Sequence, residues 1–210
     1  NTAGTTWTTY RYKNFAYYPN DDDTNDIYLV GLPANEHTFD GSGQFIGQTL
    51  YFYDNHLYHS DLPTTGKLTD IRTWIGSPGY SHVEYGYDEW GNRTIVTTFS
   101  GYGASGMNTV PTGARLTYTC FGGGGTLGGI DCPDDNVHAY PLWSKNALGH
   151  KTTWTYDYMR GVPLTEEDPN ENVTSAVYDN FARMTKLIRP SHGDDATYPT
   201  MLIRYNDTVV

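Results

Sequence analysis

The chain has 210 residues, including 19 Tyr and 23 Gly, and its formal net charge is −11 because 24 acidic residues outnumber 13 basic ones. Nucleic acids are normally bound by a basic surface, so this charge argues against a nucleic-acid partner. Only 37% of the residues are hydrophobic, and no apolar run approaches the length of a membrane span. Many Tyr and Thr with few apolar residues favour a one-faced or hollow all-β structure, because these side chains suit a half-buried pleated sheet.

The N-terminal part of the chain predicts two strands separated by an acidic turn. Residues 1–14 alternate Thr with aromatic side chains, which is typical of a half-exposed strand. Residues 20–26 (NDDDTND) predict a solvated turn rather than a calcium loop, because the Gly and the final Glu of an EF-hand are missing. Another strand begins within residues 27–39, and we expect Gly31 and Pro33 to interrupt it.

The next segment predicts hairpins. Residues 40–43 (DGSG) form a turn signal, and the return strand leads to Tyr53 and Asp54. After a polar loop, residues 67–76 alternate again and predict a strand.

Residues 82–99 form the clearest single unit, in which Tyr87 and Asp88 precede a tight turn and a β-branched return strand. Gly91 and Asn92 suit this turn, because Gly and Asn accept positive φ.

Two cysteines flank a Gly-rich stretch, residues 122–129, that predicts a flexible excursion. Cys120 and Cys132 could form a disulfide across it in an oxidising compartment, and two free thiols are the alternative.

Residues 146–190 contain one short unit twice. Tyr156-Asp157 and Tyr178-Asp179 lie 22 residues apart, and a basic residue with an apolar patch follows each pair. The pattern predicts strand, tight turn and strand, and a period in the twenties is typical of a repeat architecture.

These motifs resemble the YD repeat of the Rhs family, Tyr-Asp-x-x-Gly-(Arg or Asn) followed by an apolar strand. Residues 87–93 (YDEWGNR) and 178–184 (YDNFARM, with Arg183) carry the resemblance, which extends to the repeat region of Rhs and Tc-toxin B/C-type proteins. Ala182 departs from the pattern, as do Tyr53 and Tyr156, whose units lack the Gly. The resemblance implies antiparallel hairpins in a spiralling or ribbon-like sheet, part of a hollow shell or fibre, with residues 1–210 as a single segment of a longer chain.

Within this architecture the Tyr-Asp pairs are expected to be structural: the tyrosines stack between neighbouring strands, and each Asp accepts hydrogen bonds from turn amides. We expect that the chain is not an enzyme and that it binds no metal ion or cofactor. We expect the acids Glu166 and Glu167 to be solvated, and we do not expect His56 and His59 to share a metal ion. The family's self-cleaving Asp-Pro-x-Gly signature is not carried over, because Asn170 and Glu171 follow the sole Asp-Pro pair.

The sequence therefore predicts a non-catalytic structural segment of a secreted or cell-surface protein, whose partners are the rest of its parent chain or further copies of itself. Two alternatives remain open. One is a self-assembling filament subunit that pairs through open strand edges. The other is a surface that binds cell-surface glycans through rows of aromatic side chains, among them Trp7, Trp74, Trp90, Trp143 and Trp154. The N-x-Thr sequons are candidate glycosylation sites, at Asn92, Asn172 and Asn206.

Overall fold

The computed structural model describes residues 10–19, 29–76, 79–104, 111–190 and 195–206. These residues form β-strands joined by turns and loops. Within them there is no helix, and therefore none long and apolar enough to span a membrane. The strands are β1 (Arg11–Tyr17), β2 (Pro33–Asp40), β3 (Phe45–Tyr53), β4 (Leu68–Trp74), β5 (Tyr80–Tyr87), β6 (Arg93–Phe99), β7 (Ala114–Cys120), β8 (Thr126–Leu127), β9 (Ile130–Asp131), β10 (Trp143–Lys145), β11 (Lys151–Asp157), β12 (Val162–Glu167), β13 (Val173–Tyr178), β14 (Met184–Ile188) and β15 (Met201–Leu202).

Strand order follows chain order. In the described part of the chain, hydrogen bonding orders 13 strands from β1 to β7 and then from β10 to β15 in an open sheet, while β8 pairs with β9. Neighbours such as β2 and β3, or β13 and β14, are antiparallel, as expected for strands joined by short turns. The prediction of an all-β fold of antiparallel hairpins is confirmed.

Backbone contacts divide the chain into two compact units, which are residues 1–87 with 95–116 and residues 88–94 with 117–210. The first unit has a small core of buried Tyr18, Ala34 and Tyr53. Tyr18 and Tyr53 meet edge to face, with ring centroids 5.7 Å apart. Aromatic rings thus supply much of the buried area that few aliphatic residues provide here.

The second unit has its core around a disulfide between Cys120 and Cys132, whose Cα atoms are 5.6 Å apart. Trp143 packs against this disulfide, is 3% exposed, and donates its indole N–H to the carbonyl of Asp131 at 2.9 Å. The Gly-rich stretch is therefore not a free excursion. It leads into the β8–β9 hairpin, which the disulfide closes at its base.

The N-terminal strands differ from the prediction. β1 continues to Tyr17, beyond the strand predicted for residues 1–14, and its last residues pass through a register irregularity. Pro33 begins β2 instead of interrupting a strand, because the first position of a strand tolerates a missing N–H group. The acidic residues 20–26 lie outside the described part of the chain.

Candidate functional site: hairpin ends and a buried charged cluster

Several hairpins end in the same five-residue turn. The amide of its first residue donates to the carbonyl of the fifth, and the amide of the fourth donates to the carbonyl of the first. A side-chain oxygen of the first residue also accepts the fifth amide. The first residues of these turns are Asp40, Asp88, Asn146, Asp168 and Asp179. The Asp side chains in these turns therefore accept turn amides.

The fourth residue of each turn has positive φ. The values are 87° at Gly43, 88° at Gly91, 86° at Gly149, 65° at Glu171 and 60° at Ala182. Glycine adopts this conformation without steric cost, whereas a residue with a Cβ is strained there. The Gly of the Tyr-Asp-x-x-Gly pattern thus suits the turn, and Glu171 and Ala182 are strained exceptions.

The fifth residue reaches back to the first. Asn92 Nδ2 donates to Asp88 Oδ2 at 3.0 Å, and Arg183 Nε donates to Asp179 Oδ2 at 2.8 Å. Although burial opposes it, the amide and side chain of Arg183 hold the pKa of Asp179 below its usual value. Asn or Arg at this position therefore completes the turn.

The predicted glycosylation sites occupy different settings. Asn92 Nδ2 donates to the carbonyl of His138 at 2.7 Å, in addition to its turn partner. Asn172 uses its Nδ2 on Asp168 in the same way, at 2.9 Å, but is exposed. Asn206 is also exposed. The nitrogen that would carry a glycan is thus engaged within the fold at Asn92 and Asn172.

The tyrosines before the turns fasten strand ends together. The hydroxyl of Tyr53 donates to the carbonyl of Pro33 at 3.1 Å, and that of Tyr87 donates to Leu68 at 2.7 Å. In each case the acceptor lies at the start of the preceding strand. Tyr156 does the same toward the carbonyl of Pro141, just before β10, at 3.1 Å. Burial, followed by the neighbouring tyrosines, raises the pKa of Tyr53 to about 12.

Burial and ring stacking describe the settings of Tyr178 and Tyr156. Tyr178 ends β13, is half-buried, and burial raises its pKa. Tyr156 stacks on Tyr140 with ring centroids 4.8 Å apart. The Tyr156 ring thus lies against another ring.

Two Tyr-Asp pairs use other turns. Asp54 has φ 56° and accepts the amides of residues 64–67 on its carboxylate, at 2.7 to 3.1 Å, which closes the polar loop 55–66. Burial opposes ionisation, but these hydrogen bonds, with the hydroxyl of Thr65, hold the pKa of Asp54 far below its usual value. The turn after Asp157 is one residue longer: Gly161 N donates to the Asp157 carbonyl at 2.8 Å. Arg160, through its amide first, lowers the pKa of Asp157.

A second constellation, missed by sequence reasoning, lies on one face of β4 and β5. We call it the charged cluster: Asp70, Arg72, His82 and Glu84. In the antiparallel register Asp70 is paired with Glu84, and Arg72 with His82. Asp70 is 7% and His82 4% exposed. Arg72 Nε donates to Asp70 Oδ2 at 2.7 Å, and its guanidinium lies 4.0 Å from the centre of the Phe52 ring.

Burial governs the ionisation of the charged cluster. It raises the pKa of Asp70 against the opposing effect of Arg72, and it raises that of Glu84, with a further contribution from Asp70. It lowers the pKa of His82. The signal available from sequence was Asp-x-Arg and His-x-Glu on neighbouring strands, since residues two apart lie on the same face of a strand. Bringing the two pairs together required the strand register.

The other candidates serve neighbouring strands. Glu166 accepts the indole N–H of Trp154 at 3.1 Å, and Glu167 accepts the hydroxyl of Thr153 at 3.2 Å. These acids are therefore engaged across β11 and β12 rather than only solvated. Trp90 stacks on His138 with ring centroids 3.7 Å apart. Trp74 lies 5.4 Å from Phe45 between ring centroids, and Trp7 is outside the described residues.

Comparison with known proteins finds similarity of structure. No protein-family model and no curated protein matches the chain. A crystal structure of TcdB2-TccC3-TEV is similar with a TM-score of 0.55 and 12% identity, over 84% of this chain and 10% of that one. A crystal structure of TcdB2-TccC3-Cdc42 gives 0.51 and 13%, over 85% and 11%. A Tc holotoxin pore from Photorhabdus luminescens gives 0.50 and 14%, over 85% and 10%.

These similarities define a class of fold. The chain spans about a tenth of the length of those Tc toxin chains, and the identity is low. They establish that its antiparallel all-β fold is shared with part of the Tc toxin structures.

Proposed function

We propose that this chain is a non-catalytic structural segment of a secreted or cell-surface protein of the Rhs/YD-repeat type, in which it forms part of the wall of a shell or fibre. The observation that carries the proposal is the repeated five-residue turn at the ends of an open, sequential antiparallel sheet. Such a sheet grows by adding hairpins of one kind, and each hairpin needs only its neighbours.

The chemistry of the motif residues supports a structural role. The Tyr53, Tyr87 and Tyr156 hydroxyls donate to backbone carbonyls, and the Asp88 and Asp179 carboxylates accept backbone amides. Their polar atoms are thus used to hold strand ends and turns. Groups occupied in this way contribute to stability rather than to the handling of a substrate.

Secretion is supported by the disulfide, because structural disulfides persist in oxidising compartments. The net charge of −11 suits a soluble extracellular surface.

The partner surface we propose is the edge of the sheet. Among the residues that the structure describes, β1 ends the strand order, and all of its residues are exposed, including Phe15 at 50%. An exposed strand edge of this length is a template for pairing with another strand. In the parent protein that strand belongs to the remaining wall, and in isolation it comes from a second copy. The same edge supports the filament alternative.

The test is to remove the motif hydroxyls one at a time, as Tyr53→Phe, Tyr87→Phe and Tyr156→Phe. We expect each variant to lower the free energy of unfolding by about 0.5–1.5 kcal/mol, because the carbonyl acceptor loses its partner. Tyr58→Phe, at a ring that is 59% exposed in the loop, is the matched control and is expected to leave stability unchanged.

A glycan array on the same proteins separates the alternatives. The proposal predicts no glycan signal from the wild type. Unchanged stability in all of the motif variants, together with a glycan signal that they abolish, would replace the structural role by carbohydrate binding.

A further inference from the structure

The charged cluster contains buried polar atoms that lack a protein partner. Asp70 Oδ1 and His82 Nε2 are fully buried and make no hydrogen bond. The residues that carry them are 7% and 4% exposed. Buried polar atoms are nearly always paired, so an unpaired acceptor here needs an explanation such as an ion.

One ring nitrogen of His82 has no hydrogen-bond partner. Its ring donates a hydrogen bond to the backbone carbonyl of Ala104. Because Nε2 has no partner, the donor is Nδ1, and the neutral ring carries its lone pair on Nε2. A histidine that donates one ring N–H to a backbone carbonyl and presents the other nitrogen is arranged like a metal ligand.

The carboxylates are arranged in a similar way. Arg72 Nε holds Asp70 by Oδ2 at 2.7 Å, which leaves Oδ1 buried without a hydrogen-bond partner. Glu84 lies opposite Asp70 in the β4–β5 register. Asp70, His82 and Glu84 each offer a ligand atom, and these atoms lie within 4.8 Å of one another.

A cleft of about 220 Å³ borders the cluster; its lining includes His56, Asp70, Arg72 and Glu84, while His82 does not line it. His56 belongs to the loop closed by Asp54, and its Nδ1 is also buried without a hydrogen-bond partner. A second imidazole nitrogen is thus present at the entrance.

We propose that the charged cluster binds a divalent transition-metal ion of the Zn²⁺ type, with Asp70, His82 and Glu84 as ligands and His56 at the entrance. Mixed imidazole and carboxylate donors suit Zn²⁺, whose ligands lie roughly 2.0–2.2 Å from the ion. Arg72 acts as the outer partner that orients Asp70. The ion holds β4 and β5 together, and this role is independent of the wall function proposed above.

A second acidic group shares these features only in part: His138 Nδ1 is also buried without a hydrogen-bond partner, but its two acids differ from Asp70. Asp135 Oδ1 accepts the amides of Val137 and His138, both at 2.9 Å, and its Oδ2 accepts the Tyr158 hydroxyl. Asp134 is largely exposed, with 60% of its side chain accessible. This group, Asp134, Asp135 and His138, therefore provides the control.

The experiment is titration calorimetry of the full chain with ZnCl₂ after EDTA treatment and dialysis, with zinc content measured after gel filtration. We expect one Zn²⁺ per chain. Glu84→Gln and His82→Gln are expected to weaken binding by about 10- to 100-fold or more, since even an outer-shell partner of a ligand has an effect of that size. Asp134→Asn is expected to bind as the wild type does.

Two measurements keep the result decisive. Near-ultraviolet circular dichroism checks that each variant is folded, and Glu84→Gln is nearly isosteric at a half-buried position. Co²⁺ gives a visible absorption band when bound by nitrogen and oxygen ligands, and Glu84→Gln is expected to remove it. Absence of Zn²⁺ binding by the wild type, equal binding by Glu84→Gln and His82→Gln, or loss of binding in Asp134→Asn would overturn the proposal.

Discussion

Replacing Ala182 by glycine is expected to stabilise the protein, although the same substitution inside a strand destabilises it. Ala182 occupies the fourth position of its turn with φ 60°. A Cβ in this region costs about 1–2 kcal/mol. Glycine avoids that strain but loses about 0.4–1 kcal/mol through the greater freedom of the unfolded chain. The difference predicts a gain of about 0.5–1 kcal/mol for Ala182→Gly.

The reverse change at the equivalent position is the matched partner. Gly91 has φ 88°, and a Cβ added there meets no atom within 4 Å. Gly91→Ala is therefore a pure backbone perturbation, and we expect it to reduce the free energy of unfolding by about 0.5–1 kcal/mol. Ala176→Gly within β13 is the control for the same substitution in a strand, and we expect it to lower the free energy of unfolding by about 0.5–1 kcal/mol.

Urea unfolding followed by tryptophan fluorescence gives these free energies, and melting temperatures should shift in the same directions by about 1–4 °C. A loss of stability in Ala182→Gly as large as that in Ala176→Gly would refute the argument. It would mean that residues 179–183 do not form the turn of residues 88–92.

Three further predictions concern other contacts. Asp54→Asn is expected to lose about 2 kcal/mol near neutral pH. Because the pKa of Asp54 is lowered in the folded state, its contribution to the free energy of unfolding is present above about pH 4 and fades as the pH falls below that value. The stabilities of wild type and variant should therefore converge in acid, and parallel pH profiles would count against this. Reduction of the Cys120–Cys132 bridge, which spans 12 positions, is expected to cost about 3 kcal/mol, and an unchanged melting temperature with dithiothreitol would contradict this. Gly122→Ala should lower the free energy of unfolding by about 2–3 kcal/mol, which is more than Gly91→Ala, because its Cβ would lie 2.1 Å from Asp135 Oδ1. Calorimetric melting of both variants checks this order.

The turns were predictable from sequence because their determinants are local. An Asp, a residue with positive φ and an Asn or Arg lie within five positions, so Asp88, Gly91 and Asn92 identify their own turn. The all-β class follows equally from alternation, which each strand carries within itself. Neither depends on which strands become neighbours.

Other features depend on partners distant in sequence. The carbonyl that Tyr87 binds belongs to Leu68, 19 residues earlier, and no local pattern identifies it. The charged cluster needs the register that pairs Asp70 with Glu84, and a shift of one residue would place the pairs on opposite faces. The β8–β9 hairpin depends in the same way on the bridge from Cys120 to Cys132.

The central claim, that this is a wall segment whose sheet continues through its edge, is tested most directly by light scattering after size-exclusion chromatography over a range of concentrations, with negative-stain images of the same fractions. The account predicts association that grows with concentration. Phe15→Lys in β1 should suppress it, because charge on an edge strand opposes pairing. Phe181→Lys makes the same change in a turn, where Phe181 is 78% exposed, and should leave the association unchanged. A sharp monomer at every concentration, indifferent to Phe15→Lys, would contradict the account.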